Sequence, residues 1–320
     1  LVYTLVFLAA AALVFRVIWS EGLTFIYYYA GQEKDGFTQH YTAFAYIGRY
    51  IREFVAGLFQ GQLALKQFDF TLGYGEDVIQ SLSFYGFGDP LMLLSALVPP
   101  DLVSSFYQVY VLLELWLAGL TFRLFGREMG YEDRWILPAS LVYVFSGFAL
   151  WAGLCHPEFL VPMIYFPLML VGIERALRGR RPVFLAVSTA LYALTGYYWL
   201  YMGTIFTCLY ALVRFWQSSA GQRLRARLLG LWKFFLRAAG GYLLGILAAC
   251  PVFLPALAGF FQSNRVGGDR ALPALLLTGT ERLLYFLQLL SVSSWNFVAL
   301  AAVVLPALLL LITRRERAFP

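Results

Sequence analysis

Eight blocks of nearly continuous apolar sequence divide this chain, at 1–19, 104–123, 135–153, 159–174, 183–196, 199–213, 234–258 and 295–312. A helix crosses a bilayer core with about 17–25 apolar residues, so each block reads as a candidate span. The blocks at 183–196 and 199–213 are short. GYYW at 196–199 reads as a tight turn between two helices there, in preference to one long tilted helix. Composition agrees: 61% of residues are hydrophobic and 13% are charged, where a soluble domain carries about 25% charge. The expected fold is all-α, a polytopic transmembrane helix bundle of about eight spans. It forms a single transmembrane domain over 1–320, with 20–103 as its first extracytoplasmic loop.

The positive charges are not spread evenly. They follow alternate blocks, at Arg123, Arg127 and Arg134, at Arg175 to Arg181, at Arg214 to Arg237, and at Arg314 to Arg317. With eight spans these positions hold most of the 24 Lys and Arg, all on one side. The positive-inside rule makes that side cytoplasmic and puts both ends of the chain there. One helix over 183–213 would throw the last cluster outside, which favours the pair. Most of the 18 Asp and Glu then face outward. The basic clusters are therefore topology signals and contacts for membrane lipids, and no nucleic-acid partner is expected. Cys155, Cys208 and Cys250 form no CxxC and no disulfide framework. With His40 and His156 the only histidines, a histidine-rich metal centre is excluded.

The outer loop carries the chemistry. GQEKDGFTQHY (31–41) gathers charge directly after an apolar run. From Tyr41 the apolar positions Phe44, Ile47, Ile51, Val55 and Leu58 recur every three or four residues, an amphipathic helix suited to the membrane interface. Its other face carries Gln39, Arg49, Arg52 and Glu53. Asp35 stands just before it and reads as an N-cap, as a catalytic carboxylate, or as both. Gln39 lies one turn on and presents an amide to the same ligand. Asp69, Asp77 and Asp89 punctuate the glycine-rich stretch FDFTLGYGEDVIQSLSFYGFGDP (68–90). The run 89–99, too short to span, reads as interfacial or re-entrant. His156 and Glu158 of HPEF follow the third block on the outer side, read as a helix start or as sugar-binding groups. Tyr198 sits among the aromatic residues of the 196–201 turn, as part of an interfacial belt or as a wall for sugar or prenyl chain. Glu114 falls deep in the second block and is expected to pair with a neighbouring helix. Arg16, near the outer end of the first block, is expected to snorkel. Arg265 falls in the outer loop after the seventh block, as a snorkelling cation or as a fork for phosphate; Arg270 and Lys34 are its rivals.

The ordered series DGFTQHY, FDFTLGYGED, FYGFGDPLMLL, ELWLAGLTF, FSGF, PLMLVGIERAL, GYYWLYM and LPALAGFFQSNRVG resembles the amino-terminal part of the bacterial YfhO family. Members of that family are longer, and the chain, starting at Leu1, reads as part of such a protein. The family in turn resembles integral-membrane glycosyltransferases of the GT-C class. The resemblance implies transfer of a sugar from a polyprenyl-phosphate carrier to a cell-envelope acceptor, such as a lipoteichoic-acid-like polymer, outside the bacterial cytoplasmic membrane. It implies that Asp35 is the catalytic acidic residue of the first outer loop, with Glu33 ranked lower. Chemistry adds candidate substrate-binding residues: Gln39, Asp69, Asp89, His156, Glu158, Tyr198 and Arg265. The absence of a P-loop and of a Rossmann fingerprint suits a lipid-linked donor. No cofactor is expected; a divalent metal held by Asp35, His156 and Glu158 is the less favoured reading. A transporter or lipid flippase of envelope precursors is the alternative. It is disfavoured because only Glu114 is deep and no internal repeat is found.

Overall fold

The computed structural model describes residues 1–26, 35–62, 64–154 and 156–262. Ten α-helices follow in chain order among them: α1 (Val2–Val14), α2 (Arg16–Ser20), α3 (Thr42–Phe59), α4 (Val78–Leu82), α5 (Val103–Glu128), α6 (Asp133–Val144), α7 (Val161–Leu177), α8 (Val183–Thr195), α9 (Tyr197–Ser218) and α10 (Leu224–Gln262). Two short antiparallel strands, β1 (Phe68–Asp69) and β2 (Glu76–Asp77), close the glycine-rich loop between α3 and α4.

α7 is the axis of the bundle. It packs on α5, α8 and α9, while α10 lies along α8. Burial runs round its circumference, from Val161, Met163 and Ile164 to Met169, Leu170, Val171 and Ile173. A helix apolar on all sides belongs inside a bundle. α1 and α2 contribute one stripe, Tyr3, Phe7, Ala11, Phe15 and Ile18, spaced three or four apart as a helix face requires. The Tyr3 hydroxyl donates to the Trp116 carbonyl of α5 at 3.1 Å.

Several apolar blocks take a finer form than their hydropathy suggests. The first is nearly continuous but breaks at Phe15. The third stops at Val144, and after residues 145–148 a π-helical turn (Ala149–Gly153) follows. The chain leaves the helical pattern only at Phe145 and Ser146 and resumes it at Gly147. Residues 183–213 form two helices joined at Gly196, whose φ of 147° is open to glycine and strained for other residues. The block at 295–312 lies outside the described residues. Among the described residues three helical segments are long and apolar enough to cross a membrane: 100–128, 157–177 and 224–262. α1 and α8 are apolar but shorter. α9 and α10 turn large side chains outward, among them Phe206, Leu209, Trp216, Leu228, Trp232, Leu243 and Leu247, all more than half exposed. An apolar surface this extensive needs a partner, and lipid provides one.

The arginines of α7, α9 and α10 meet at one end. Arg175 and Arg178, at the end of α7, reach Glu128 at the end of α5. Arg214 of α9 holds Glu174 of α7 with two N–H donors, at 2.6 and 3.1 Å, and the Tyr210 hydroxyl adds a third bond at 2.6 Å. Arg237 of α10 donates to the Ala176 carbonyl at 3.1 Å. These arginines tie the helix ends together in addition to any role in topology. Glu114 accepts from Tyr110 one turn earlier on the same helix, at 2.7 Å, and not from the neighbouring helix the sequence suggested. Arg16 is exposed.

The loop before α5 is packed. α3 docks on a 3-10 turn (Met92–Leu97), where Gly48 closes on Ser95, and its Phe44 packs on Phe106, Tyr107 and Tyr110 of α5. Arg52, expected on a solvated face, instead donates to the carbonyls of Ser95 and Val98 at 3.1 and 2.8 Å. Only the first half of the α3 apolar stripe is buried; Val55 and Leu58 are exposed.

α8 and α10 approach closely because α10 offers Gly241 and Gly245 to them, a small residue on each of two successive turns. A Cβ at Gly245 would lie 2.5 Å from the Ala186 carbonyl oxygen, whereas one at Gly240 would meet nothing within 4 Å. Gly245→Ala is therefore expected to destabilise by about 1–3 kcal/mol, as overpacking does. Gly240→Ala should leave stability unchanged or raise it. Thermal unfolding of both variants in detergent micelles checks the contrast.

Candidate functional site

The residues with chemistry meet at the end of the bundle opposite the arginines. Three segments build the place: the turn leading into α3, the turn leading into α7, and the 3-10 turn Ser83–Tyr85.

The first is a π-helical turn, Gly36–Tyr41, entered from Asp35. Asp35 stands at the entrance of this turn and meets Gln39, four residues on. The Gln39 amide donates to Asp35 Oδ1 at 2.8 Å, and the Tyr85 hydroxyl donates to Gln39 Oε1 at 2.7 Å. Asp35 makes no side-chain cap bond, so the N-cap reading gives way to this pairing. Its side chain is 47% exposed.

The second segment is His156-Pro157-Glu158, whose proline opens a short 3-10 turn (Pro157–Phe159) ahead of α7. Neither His156 nor Glu158 acts as a side-chain cap. Each instead turns to the first segment. His156 Nδ1 lies 2.7 Å from His40 Nε2, and His156 Nε2 lies 3.9 Å from Asp35 Oδ2. On the far side, His40 Nδ1 lies 2.8 Å from Glu158 Oε2. The result is a line of four ionisable groups, Asp35–His156–His40–Glu158, with the last three more than nine-tenths buried. Burial, and then the neighbouring His40, hold the His156 imidazole below its ordinary range; Glu158 and Asp35 act in the opposite direction. Phe159 stacks on His156, and Tyr85 meets His40 edge-on.

Asp35, Gln39, His40, Tyr85 and His156 line a cavity of about 460 Å³. Beside it runs a larger apolar groove of about 1190 Å³ between α9 and α10, lined by Tyr198, Tyr201, Ile205, Leu209, Tyr242 and Leu257 among others. Phe84, Phe159, Tyr197 and Phe260 belong to both, so the polar cavity and the apolar groove share a wall. On its other side, Gln39 and Tyr85 also line a third cavity of about 550 Å³, along Tyr46, Arg49 and Arg52 of α3.

The candidate residues thus separate. Asp35, Gln39 and His156 line the polar cavity, with Glu158 behind them. Tyr198 faces the apolar groove. Asp69 and Asp89 hold the loop. Asp69 accepts from the Tyr46 hydroxyl at 2.5 Å, from the Thr71 backbone and hydroxyl at 2.8 Å, and pairs with Lys66 at 2.9 Å. Those bonds, the Tyr46 one foremost, keep its carboxyl far below the usual carboxylate range. Asp89 is buried, with Oδ1 accepting from the Leu91 N–H and the Tyr165 hydroxyl, each at 2.9 Å. Arg265, Arg270 and the Glu33–Lys34 pair lie outside the described residues. His40 and Tyr85 join the site without having been singled out as ligand-binding. The signal for His40 was its rarity, one of two histidines, and its place five residues after Asp35.

A bundle with outward apolar faces, an arginine-rich end and a polar cavity at the opposite end defines a helical membrane protein. Residues 5–317 match the family described as bacterial membrane protein YfhO, and the chain belongs to that family. Comparison with curated proteins and with solved structures gives no match.

Burial pushes the Asp89 carboxyl up to about 6, against the two hydrogen bonds that pull it down. The fold therefore holds this proton more tightly than the unfolded chain does. The stabilisation is complete below the unfolded value near 3.8 and is lost as pH rises through about 6. It amounts at most to something on the order of 3 kcal/mol. Asp89→Asn keeps an acceptor for Tyr165 and removes the titration. Its melting temperature relative to the unmodified protein is expected to climb between pH 4 and pH 7.5; a constant difference would rule this out.

Proposed function

We propose that this protein is a GT-C-type glycosyltransferase that moves a sugar from a polyprenyl-phosphate carrier to a cell-envelope acceptor, a polymer of the lipoteichoic-acid kind, on the outer face of the bacterial cytoplasmic membrane. The observation that carries the reading is the shared wall between a carboxylate-bearing cavity and an apolar groove. A lipid-linked sugar has these two halves: a polar headgroup that needs hydrogen-bonding partners, and a chain whose burial contributes about 0.8 kcal/mol per CH₂. The groove suits the prenyl chain, and the cavity suits the sugar.

Asp35 acts as the base. Its Oδ1 is held by Gln39, which Tyr85 holds in turn, leaving Oδ2 toward the cavity and His156. In the reaction Asp35 takes the proton of the acceptor hydroxyl as the acceptor oxygen bonds to the anomeric carbon. The bond from that carbon to the phosphate oxygen breaks, and the carrier phosphate leaves with the electron pair. The cavity along α3, on the far side of Gln39 and Tyr85, offers the acceptor its own approach. The site lies at the end of the bundle away from the arginines, which agrees with an outer location if those arginines are cytoplasmic.

A transporter or flippase would use polar groups at mid-membrane depth. Glu114, the deep carboxylate, is engaged by Tyr110 and lines none of the three cavities described above. The transferase reading is therefore preferred.

Asp35→Asn is expected to lower sugar transfer by about 10²–10⁴, the usual contribution of a general base, with membrane insertion and expression unchanged. The assay uses the full-length protein in membranes and a labelled polyprenyl-phosphate sugar; undiminished transfer removes Asp35 from the mechanism. Ile205→Asn, in the groove, should raise the concentration of long-chain donor needed for half-maximal rate. The same variant should handle a short-chain donor as before. An equal effect on both donors would show that the groove does not hold the chain.

A further inference from the structure

The three buried groups behind Asp35 are more than a hydrogen-bonded support. His40, His156 and Glu158 each offer a ligand atom within 4.8 Å of the other two, and each residue is more than nine-tenths buried. Hydrogen bonds do not use up their polar atoms. His40 Nδ1 is close to Glu158 Oε2, at 2.8 Å, yet makes no hydrogen bond of acceptable direction. Glu158 Oε1 likewise has no hydrogen-bond partner among the described residues. Buried polar atoms are almost always satisfied, so two such atoms on two adjoining residues call for a further partner. That partner has to accept electron pairs from imidazole and carboxylate together. A cation does this.

We propose that His40, His156 and Glu158 bind a divalent transition-metal ion, with zinc favoured by the ligand chemistry. Two imidazoles and one carboxylate are a known three-ligand zinc set that leaves a fourth position open. Magnesium and calcium prefer all-oxygen surroundings, so the imidazoles argue against them. His40 and His156 line the polar cavity, so the open position faces it. Asp35 is outside the ligand set. Its Oδ2 stands 3.9 Å from His156 Nε2, on the side of the ring away from His40, where an outer carboxylate orients a ligating histidine. The metal would fix the turn before α3 to the turn before α7, which stand 116 residues apart at His40 and His156. The set differs from the sequence-based trio: His40 replaces Asp35 as a ligand.

The inference stands apart from the transferase reading and is tested without sugar transfer. The full-length protein, purified in detergent with a tag free of histidine, is stripped with chelator and dialysed against zinc or cobalt(II). Elemental analysis is expected to find about one zinc per chain, with a rise in melting temperature over the stripped protein. Cobalt should give the visible absorption bands of a low-coordinate site. His40→Gln, His156→Gln and Glu158→Gln should each lose the bands and weaken zinc binding at least tenfold. Asp35→Asn, expected to lose transfer, should keep the metal with a weaker affinity. Size-exclusion profiles identify which variants stay folded, and any one of the three ligand variants suffices. Failure of the unmodified protein to take up zinc or cobalt above a fraction of an equivalent overturns the proposal, as does full uptake by a folded ligand variant. In either case the four groups form a proton-sharing chain instead, and the role of Asp35 is untouched.

Discussion

Enclosure of α7 is the constraint on which the remaining structure depends. Its apolar circumference excludes solvent and lipid alike and forces α5, α8 and α9 to gather round it. A helix held on every side has little freedom to shift along its axis. Whatever is attached to its two ends is then placed accurately. At one end stands Glu174, gripped by Arg214 and Tyr210. Just ahead of the other stand His156 and Glu158. Tyr165, one turn in, ties that end to the loop before α5 through Asp89.

The loop before α5 is consequently a fitted part and not a free strap. Three side chains secure it by satisfying backbone or buried groups. Arg52 collects the carbonyls of Ser95 and Val98, Asp69 draws in Tyr46 and Thr71, and Asp89 locks to Tyr165. Each would be costly to lose, because a partner left behind would be buried without a bond. This anchoring lets a half-exposed carboxylate, Asp35, be presented at a fixed angle. Pre-organised acceptors and donors are what a polar cavity needs to act on a bound molecule.

Charge is divided along the bundle. The arginine end pairs its cations with Glu128 and Glu174, and the cavity end pairs carboxylates with imidazoles. Guanidinium forks are permanently charged and bind carboxylates with two donors, which suits a structural clasp. Imidazoles change protonation and ligate metals near neutral pH, which suits chemistry. The two ends therefore differ in kind as well as in sign, and the apolar stretch between them keeps them apart.

The sequence made legible the helical class and the membrane habit, since these follow from hydropathy along short windows. It also determined the break at Gly196, because a glycine between two short apolar blocks is a local signal. The neighbourhood of Asp35 and Gln39 was legible from spacing, although the turn that joins them is π-helical and the expected side-chain cap is not made. The ends of the third block were less legible, since hydropathy does not register a change from α-helical to π-helical winding inside an apolar run. Packing between distant segments is what turns Arg52 inward, makes Asp69 and Asp89 secure the loop, and brings His40 to His156 across 116 residues of chain. Periodicity reports which residues share a face of one helix. It carries no information on which face of another segment they meet, because that depends on the packing of every helix between them.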